Sequence, residues 1–283
     1  MKKFKGVITA LITPFKKGEV DEESIIKLVK DQINRGVSGF VINGTTAESP
    51  TVSKSECARI FNLVKALVPK ELPLIVGVGT NCTKSTIENA REAEKLGADA
   101  LLVVVPYYNK PPQRGLLEHF KAVASSVNVP VILYNVPGRT ITTLELDTIK
   151  KLSEHPNIIG IKEASGNINF AKQIREICGK EFVLLSGDDG TYEEFLQVGG
   201  DGVISVASHI IPEAMNSGKL KAYKSLIDAL FIEANPIPVK KALYDLNLIN
   251  SPELRLPLVD LSTSAAIKLS EEMKRAGVVN GKN

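Results

Sequence analysis

The sequence predicts an α/β protein, a (β/α)8 TIM barrel followed by a short C-terminal helical extension. Three observations carry this. Eight short runs rich in Val, Ile and Leu alternate with longer amphipathic stretches. Most of the runs are apolar on both faces, as strands buried between a barrel interior and a helical layer must be. One turn recurs ahead of three of them, in Arg35-Gly-Val-Ser-Gly-Phe40, Leu96-Gly-Ala-Asp-Ala-Leu101 and Val198-Gly-Gly-Asp-Gly-Val203. Each has a helix-stopping glycine, a short turn and then an apolar strand.

The first strand is read at 6–13. The charged start followed by an apolar run has the outline of a signal peptide. However, the run is short, ends at Thr13-Pro14 and is followed by Lys16 and Lys17 with no small-residue cleavage site. It therefore reads as a strand. Asp21 ahead of Glu22 and Glu23 suits a helix start, and Gly36 its stop. The second strand is read at 39–45. Ser53 with Glu56 has capping-box spacing, and Cys57, Ile60, Phe61, Val64 and Val68 then share one helical face. Strands follow at 72–80, 98–106 and 130–137, with Gly97 ending the helix between the first two. Thr142 with Glu145 repeats the capping-box spacing. Strands at 158–165, 182–189 and 202–208 complete the set, with Gly199 marking another helix end. An open doubly wound sheet would place a phosphate-binding glycine loop after strand one, and none is there, so the closed barrel is preferred. After residue 210 the strand pattern stops. The barrel is assigned to 1–211 and the helical extension to 212–283.

Composition narrows the function. The 283 residues are 43% hydrophobic and 24% charged, enough for one large barrel core. The net charge of +3 is small and the charges are interspersed, which argues against a nucleic-acid partner. No stretch is long enough to span a bilayer, so no membrane partner is expected. Cys57, Cys82 and Cys178 are odd in number and far apart. They fit a reducing, cytoplasmic compartment better than a disulfide framework or zinc site. His119, His155 and His209 are isolated and lack metal-ligand spacing. Gly77-Val-Gly79 lacks the third glycine of a dinucleotide loop, and no Walker, H-E-x-x-H or G-x-S-x-G motif occurs. No metal, nucleotide, flavin or other cofactor is expected.

Chemistry in such a barrel sits at the C-terminal ends of the strands. Those ends carry Asn43-Gly44-Thr45-Thr46, Pro106-Tyr107-Tyr108, Tyr134-Asn135, Lys162-Glu163 and Gly187-Asp188-Asp189. Lys162 follows Ile158-Ile159-Gly160-Ile161 inside a strand that should be buried. A buried ammonium is costly unless paired or neutralised, and desolvation frees the amine lone pair for attack on a carbonyl. The plainer reading is a lysine that reaches solvent at the strand tip or pairs with Glu163. From its own segment the two readings are near parity, and the neighbouring strand ends favour catalysis. Tyr134 ends the adjacent strand, where a phenol can pass a proton to or from Lys162. A lone Tyr more commonly fills a core edge. Thr45 and Thr46 follow Gly44 in a turn that can offer N–H groups and hydroxyls to a carboxylate, or serve only as a turn.

Seven short motifs then make the chain recognisable. They are Gly44-Thr-Thr-Ala-Glu-Ser49, Pro106-Tyr-Tyr-Asn109, Tyr134-Asn-Val-Pro-Gly-Arg-Thr140, Gly160-Ile-Lys-Glu-Ala-Ser-Gly166, Ser186-Gly-Asp-Asp189, Gly202-Val-Ile-Ser-Val206 and Asn235-Pro-Ile-Pro-Val-Lys240. In this order and spacing the chain resembles the dihydrodipicolinate synthase/N-acetylneuraminate lyase family over nearly its whole length. The resemblance implies a Schiff-base lyase of diaminopimelate and lysine biosynthesis that condenses pyruvate with L-aspartate 4-semialdehyde. It implies that Lys162 forms the imine with pyruvate, and that Thr45 and Thr46 hold the pyruvate carboxylate. It implies a proton relay of Tyr134, Thr45 and Tyr108, with Tyr108 reaching a neighbouring subunit's site. The chain would then be a homo-oligomer, a tetramer or a dimer. Arg139 would bind the carboxylate of the semialdehyde, and the backbone at Gly187 and Ile204 would line the pocket.

The nearest rival is a sugar-acid lyase of the same family, acting on 2-keto-3-deoxygluconate or N-acetylneuraminate. The sialic-acid lyases usually carry Ser-Thr at the 45–46 position and lack an Arg after the strand-five tyrosine, so the Thr45-Thr46 pair and Arg139 argue against it. A catalytically silent barrel is the rival from another class, and the set Lys162, Tyr134, Thr45, Tyr108 and Arg139 argues against that. Two departures from the family stand out. Lys54, Cys57 and Ser85 occupy positions that carry histidine and glutamate in lysine-inhibited members, so weak or absent lysine feedback is expected. The stretch from Met215 to Phe231 is a few helical turns shorter than in comparable members.

Overall fold

The computed structural model describes residues 4–278. Lys2 and Lys3 of the charged start, and residues 279–283 of the assigned extension, lie outside the described residues. Eight parallel strands close into a barrel. They are β1 (Gly6–Ala10), β2 (Gly39–Ile42), β3 (Leu74–Gly77), β4 (Ala100–Val104), β5 (Val131–Asn135), β6 (Ile158–Glu163), β7 (Val183–Ser186) and β8 (Gly202–Ser205). Closure comes from β1 pairing with both β8 and β2, with Gly6 opposite Gly202 and Ile8 opposite Gly39. Every strand lies where the sequence places one. Each regular strand is shorter than its apolar run, because the residues after it turn into the loops that carry function.

The helices between strands are α1 (Glu22–Asn34), α2 (Lys54–Leu67), α3 (Thr83–Leu96), α4 (Gln113–Ala124), α5 (Leu146–Ser153), α6 (Ile168–Cys178) and α7 (Tyr192–Gln197). Asp21 caps α1 by accepting the backbone N–H of Ser24. Ser53 and Glu56 form a reciprocal capping box on α2. The second capping box does not form. Glu145 itself is the N-cap of α5 and makes no side-chain cap bond. Thr143 and Leu144, which precede it, are instead tied to Asn135 at the end of β5. Gly97 caps α3 at φ 86, a left-handed conformation that costs glycine little, and so turns the chain into β4.

Side chains alternate between two cores. Val131, Leu133, Ile158 and Ile161 face the helices in the larger core. Ile8, Val41, Ile75, Leu102, Ile132, Tyr134, Leu185 and Ile204 fill the barrel interior. Beyond β8, α8 (Pro212–Ser217) packs against β1 and the Ala207–His209 turn. Next come α9 (Lys224–Ala229), α10 (Ile237–Asp245) and α11 (Thr263–Arg275); α11 packs on both α9 and α10. The stretch from Met215 to Phe231 thus holds only short elements. Among the described residues no helix is long and apolar enough to cross a membrane.

Candidate active site

Period-two alternation decides which way Lys162 points. It stands opposite Tyr134 in the β5–β6 register, and Tyr134 is in the interior core. Lys162 is only 7% exposed. Its Nζ lies 4.2 Å from the centroid of the Tyr134 ring, a cation–π contact that offsets part of the cost of burial. Glu163, one residue on, faces the other way. Its carboxylate accepts from Asn135 Nδ2 at 2.7 Å and from the backbone N–H of Ser165 at 2.6 Å. Burial pushes the Glu163 carboxyl up, against these bonds. Glu163 thus braces the loops and does not neutralise Lys162. Among the described residues Lys162 forms no ion pair.

Gly187 is required by this lysine. A Cβ at position 187 would stand 2.8 Å from Lys162 Cε and 2.5 Å from Ala164 Cβ. The Gly187 N–H is also fixed, donating to the Glu163 carbonyl at 2.7 Å. Next to it, buried Asp189 accepts the N–H groups of Val206 and Ala207 at 2.9 and 2.8 Å. That carboxylate ties the end of β7 to the end of β8, where Ile204 faces the interior.

Thr45 and Thr46 open a 3-10 turn at Thr45–Ala47, directly after Gly44. Thr45 and Tyr134 line a cavity of about 150 Å³ together with Gly44, Gly79, Val104 and Tyr107. Thr46 is buried, and its Oγ1 accepts from Asn235 Nδ2 at 2.9 Å. With that lone pair engaged, the Thr46 O–H is left to donate, as carboxylate binding requires. Asn235 also reaches the second candidate anion group, since its carbonyl lies 3.5 Å from Arg139 Nη2. Arg139 itself is exposed, on the short helix Pro137–Thr140 after β5.

The fold thus brings Lys162, Tyr134, Gly187 and Ile204 to one end of the barrel interior, with Thr45 sharing a cavity with Tyr134 and Thr46 next in the same turn. It does not bring Tyr108 to them. Tyr108 is 86% exposed and at φ 73. Three residues that meet the site carry no role in the sequence reading. Asn235 and Lys240 belong to a motif that carried no role, and Glu48 lies in the threonine motif; Glu48 and Lys240 form a buried pair beneath the Thr45–Thr46 turn. A lysine among the apolar residues of α10 was the one available signal, because a buried ammonium demands a partner.

Lys54 and Cys57 line an adjoining cavity of about 680 Å³, between α2 and α3, which shares Asn43, Ser49 and Gly77 with the first. Glu88 and Glu92, further along α3, also line it, whereas Ser85 does not. Among the described residues no group of His, Cys, Asp and Glu side chains could hold a metal ion.

Comparison with known proteins identifies the family of the chain. Residues 3–276 match the model of the Dihydrodipicolinate synthetase family. The chain is 56% identical over 293 aligned residues to the 4-hydroxy-tetrahydrodipicolinate synthase of Bdellovibrio bacteriovorus, covering 99% of this chain and 100% of that one. The chloride-inhibited dihydrodipicolinate synthase of Acinetobacter baumannii, solved as a complex with pyruvate, superposes with a TM-score of 0.94 at 40% identity. The match covers 98% of this chain and 100% of that one. The dihydrodipicolinate synthase of Thermotoga maritima gives a TM-score of 0.94 at 39% identity, over 98% of this chain and 99% of that one.

Proposed function

Because this chain belongs to the dihydrodipicolinate synthetase family, with the 4-hydroxy-tetrahydrodipicolinate synthase activity of its relatives, we propose that Lys162, Tyr134, Thr45 and Thr46 are the residues that perform it. The reaction joins pyruvate and L-aspartate 4-semialdehyde. The Lys162 amine adds to the pyruvate ketone and water leaves, giving an iminium. The iminium draws electrons from the adjacent methyl, which loses a proton to become an enamine. The enamine carbon attacks the aldehyde. The amine of the semialdehyde then adds to the imine carbon and displaces Lys162, closing the ring and freeing the enzyme.

Tyr134 supplies the proton transfers, as the phenol paired with Lys162 across the strands. Thr45 continues the relay, and Thr45 and Thr46 hold the pyruvate carboxylate. Arg139, exposed at the rim and near the Asn235 carbonyl, receives the carboxylate of the semialdehyde. The backbone at Gly187 and Ile204 shapes the floor. Tyr108 is largely exposed and does not line the Thr45–Tyr134 cavity, which supports a role in the site of a second copy of the chain and hence a homo-oligomer.

The observation that carries this reading is the placement of Lys162. It is buried opposite Tyr134 at a strand end, with a ring for company and no carboxylate among the described residues. Borohydride reduction in the presence of pyruvate, followed by peptide mass mapping, tests it. A three-carbon adduct on Lys162 is expected, and none in Lys162→Ala. A folded protein that yields no adduct refutes the assignment. Product formed with aspartate semialdehyde but no cleavage of sugar acids separates this reading from the lyase rival.

A further inference from the structure

Glu48 follows Thr46 by two residues and is held at φ 56, in the left-handed region that a non-glycine residue seldom occupies. Something must hold it there. Its buried carboxylate accepts from Lys240 Nζ at 2.5 Å through Oε1, and from the backbone N–H of Arg255 at 3.0 Å through Oε2. Lys240 is wholly buried and also donates to the Glu253 carbonyl at 2.7 Å. Its ammonium lies 4.2 Å from the centroid of the Phe15 ring, and the Arg255 guanidinium lies 4.2 Å from the same centroid. The Glu253 carboxylate accepts the N–H groups of Lys17 and Gly18 at 2.7 and 2.6 Å. The short antiparallel hairpin of Phe15–Lys16 and Glu19–Val20 after β1, the threonine turn after β2 and the segment around α10 all meet at this one charge pair.

Stability alone is a poor account of such a pair. Apolar residues of equal volume would hold three segments together as well or better, since both ions lose their hydration here. What an ion pair adds is a single permitted geometry. Neither Glu48 nor Lys240 lines the cavity bounded by Thr45 and Tyr134. Their influence on substrate must pass through the threonine turn, which is bound from the same C-terminal segment a second time through Asn235 and Thr46.

We propose that Glu48 and Lys240 are positioning residues. The buried pair fixes the Thr45–Thr46 turn so that Lys162 is presented with 2-oxo acids in preference to ketones lacking a carboxylate. This rests on the reading above, in which Thr45 and Thr46 bind the carboxylate.

The test compares pyruvate with acetone as substrates for borohydride trapping on Lys162, each over a concentration series. The proteins are the full chain, Glu48→Gln and Lys240→Met. In the full chain pyruvate is trapped at far lower concentration than acetone. In the variants the half-saturating pyruvate concentration rises by about 10- to 100-fold, because small displacements of positioning groups have effects of that size. Acetone trapping stays unchanged, since it uses Lys162 without the turn. Loss of pyruvate and acetone trapping together, or an unchanged ratio in a folded variant, overturns the proposal and leaves the pair a purely structural one. If both variants fail to fold, Phe15→Leu keeps both charges and removes only the ring between Lys240 and Arg255. The same loss of selectivity is then expected at smaller size, and an unchanged ratio overturns the proposal. The underlying reading fails separately. No pyruvate adduct in the full chain removes the imine assignment. An adduct without preference over acetone removes the carboxylate role of Thr45 and Thr46, and the proposal with it.

Discussion

Two lysines are buried at the same end of this barrel, and their surroundings differ in one respect. Lys162 on β6 and Lys240 on α10 each sit with the ammonium 4.2 Å from the centroid of an aromatic ring, Tyr134 and Phe15 respectively. Lys240 also has a carboxylate and a carbonyl. Burial pushes its amine down to about 8, and the Glu48 charge and hydrogen bond oppose that fall. Lys162 has the ring and, among the described residues, no ion-pair partner. A lysine whose charge is fully answered becomes a fixed point of the architecture. One held only against a ring, with no ion pair among the described residues, is not tied into the architecture and can be presented to a substrate.

Replacing each lysine by methionine should therefore have opposite consequences, and this is the largest effect expected. Lys162→Met should lower kcat/KM by more than about 1,000-fold, as loss of a covalent nucleophile does. Its stability should hold or rise, because no partner is left stranded. Lys240→Met should lose about 3–5 kcal/mol of stability, because Glu48 is left buried and unpaired. Denaturant midpoints of the two variants, measured beside their activities, decide the matter. Equal losses of stability would erase the distinction between the two sites.

A subtler change sharpens the Lys162 side. Tyr134→Phe removes the O–H and leaves the ring that the ammonium faces. Turnover should fall by about 100- to 10,000-fold, the usual worth of a positioned proton donor. The denaturation midpoint should stay near that of the parent protein. A large loss of stability would mean that the phenol was a structural tether instead.

The two lysines also differ in how legible they were. Lys162 was readable because it interrupts an apolar strand at the end where barrels do chemistry, and because alternation then forces it inward beside Tyr134. Its separation from Glu163 follows from the same alternation, yet pairing between the two stayed open until the register was known. The eight strands were readable from their doubly apolar runs, and Ser53 with Glu56 from their spacing. Thr142 with Glu145 has the same spacing and fails, because the segment between them is captured by Asn135, a contact outside the local sequence. Lys240 and Glu48 lie 192 residues apart, and nothing periodic connects them. Tertiary ion pairs of this kind leave no pattern in one sequence. The carboxylates of Glu88 and Glu92 near Lys54 were missed for the same reason, since the helix turn that faces a cavity is fixed only by packing.

The smallest expected effect concerns pH, and it separates the Lys240 side from the rest of the molecule. Arg255, whose N–H holds Glu48, grips Glu56 through Nη1 at 3.0 Å and Nη2 at 2.6 Å. These bonds hold the Glu56 carboxyl down from 4.5 to about 2, against its partial burial. The unfolded chain therefore takes up this proton first. The stability Glu56 contributes is complete above about pH 4.5 and is lost as the pH falls toward 2. His119 and His209 act earlier. Burial pushes each from 6.5 down to about 4, so both are buried neutral. Their contribution is present above pH 6.5 and is lost as the pH falls through 4. Glu56→Gln should lower stability by about 1–2 kcal/mol near neutral pH, the worth of a charge-assisted hydrogen bond. Stability measured from pH 7 to pH 3 on both proteins should give parallel curves down to about pH 4.5 that converge below it. Both histidines are present in both proteins and lower the two curves together, so curves that stay parallel down to pH 3 would show that Arg255 does not hold the Glu56 carboxyl down, and would detach Arg255 from the pair it supports.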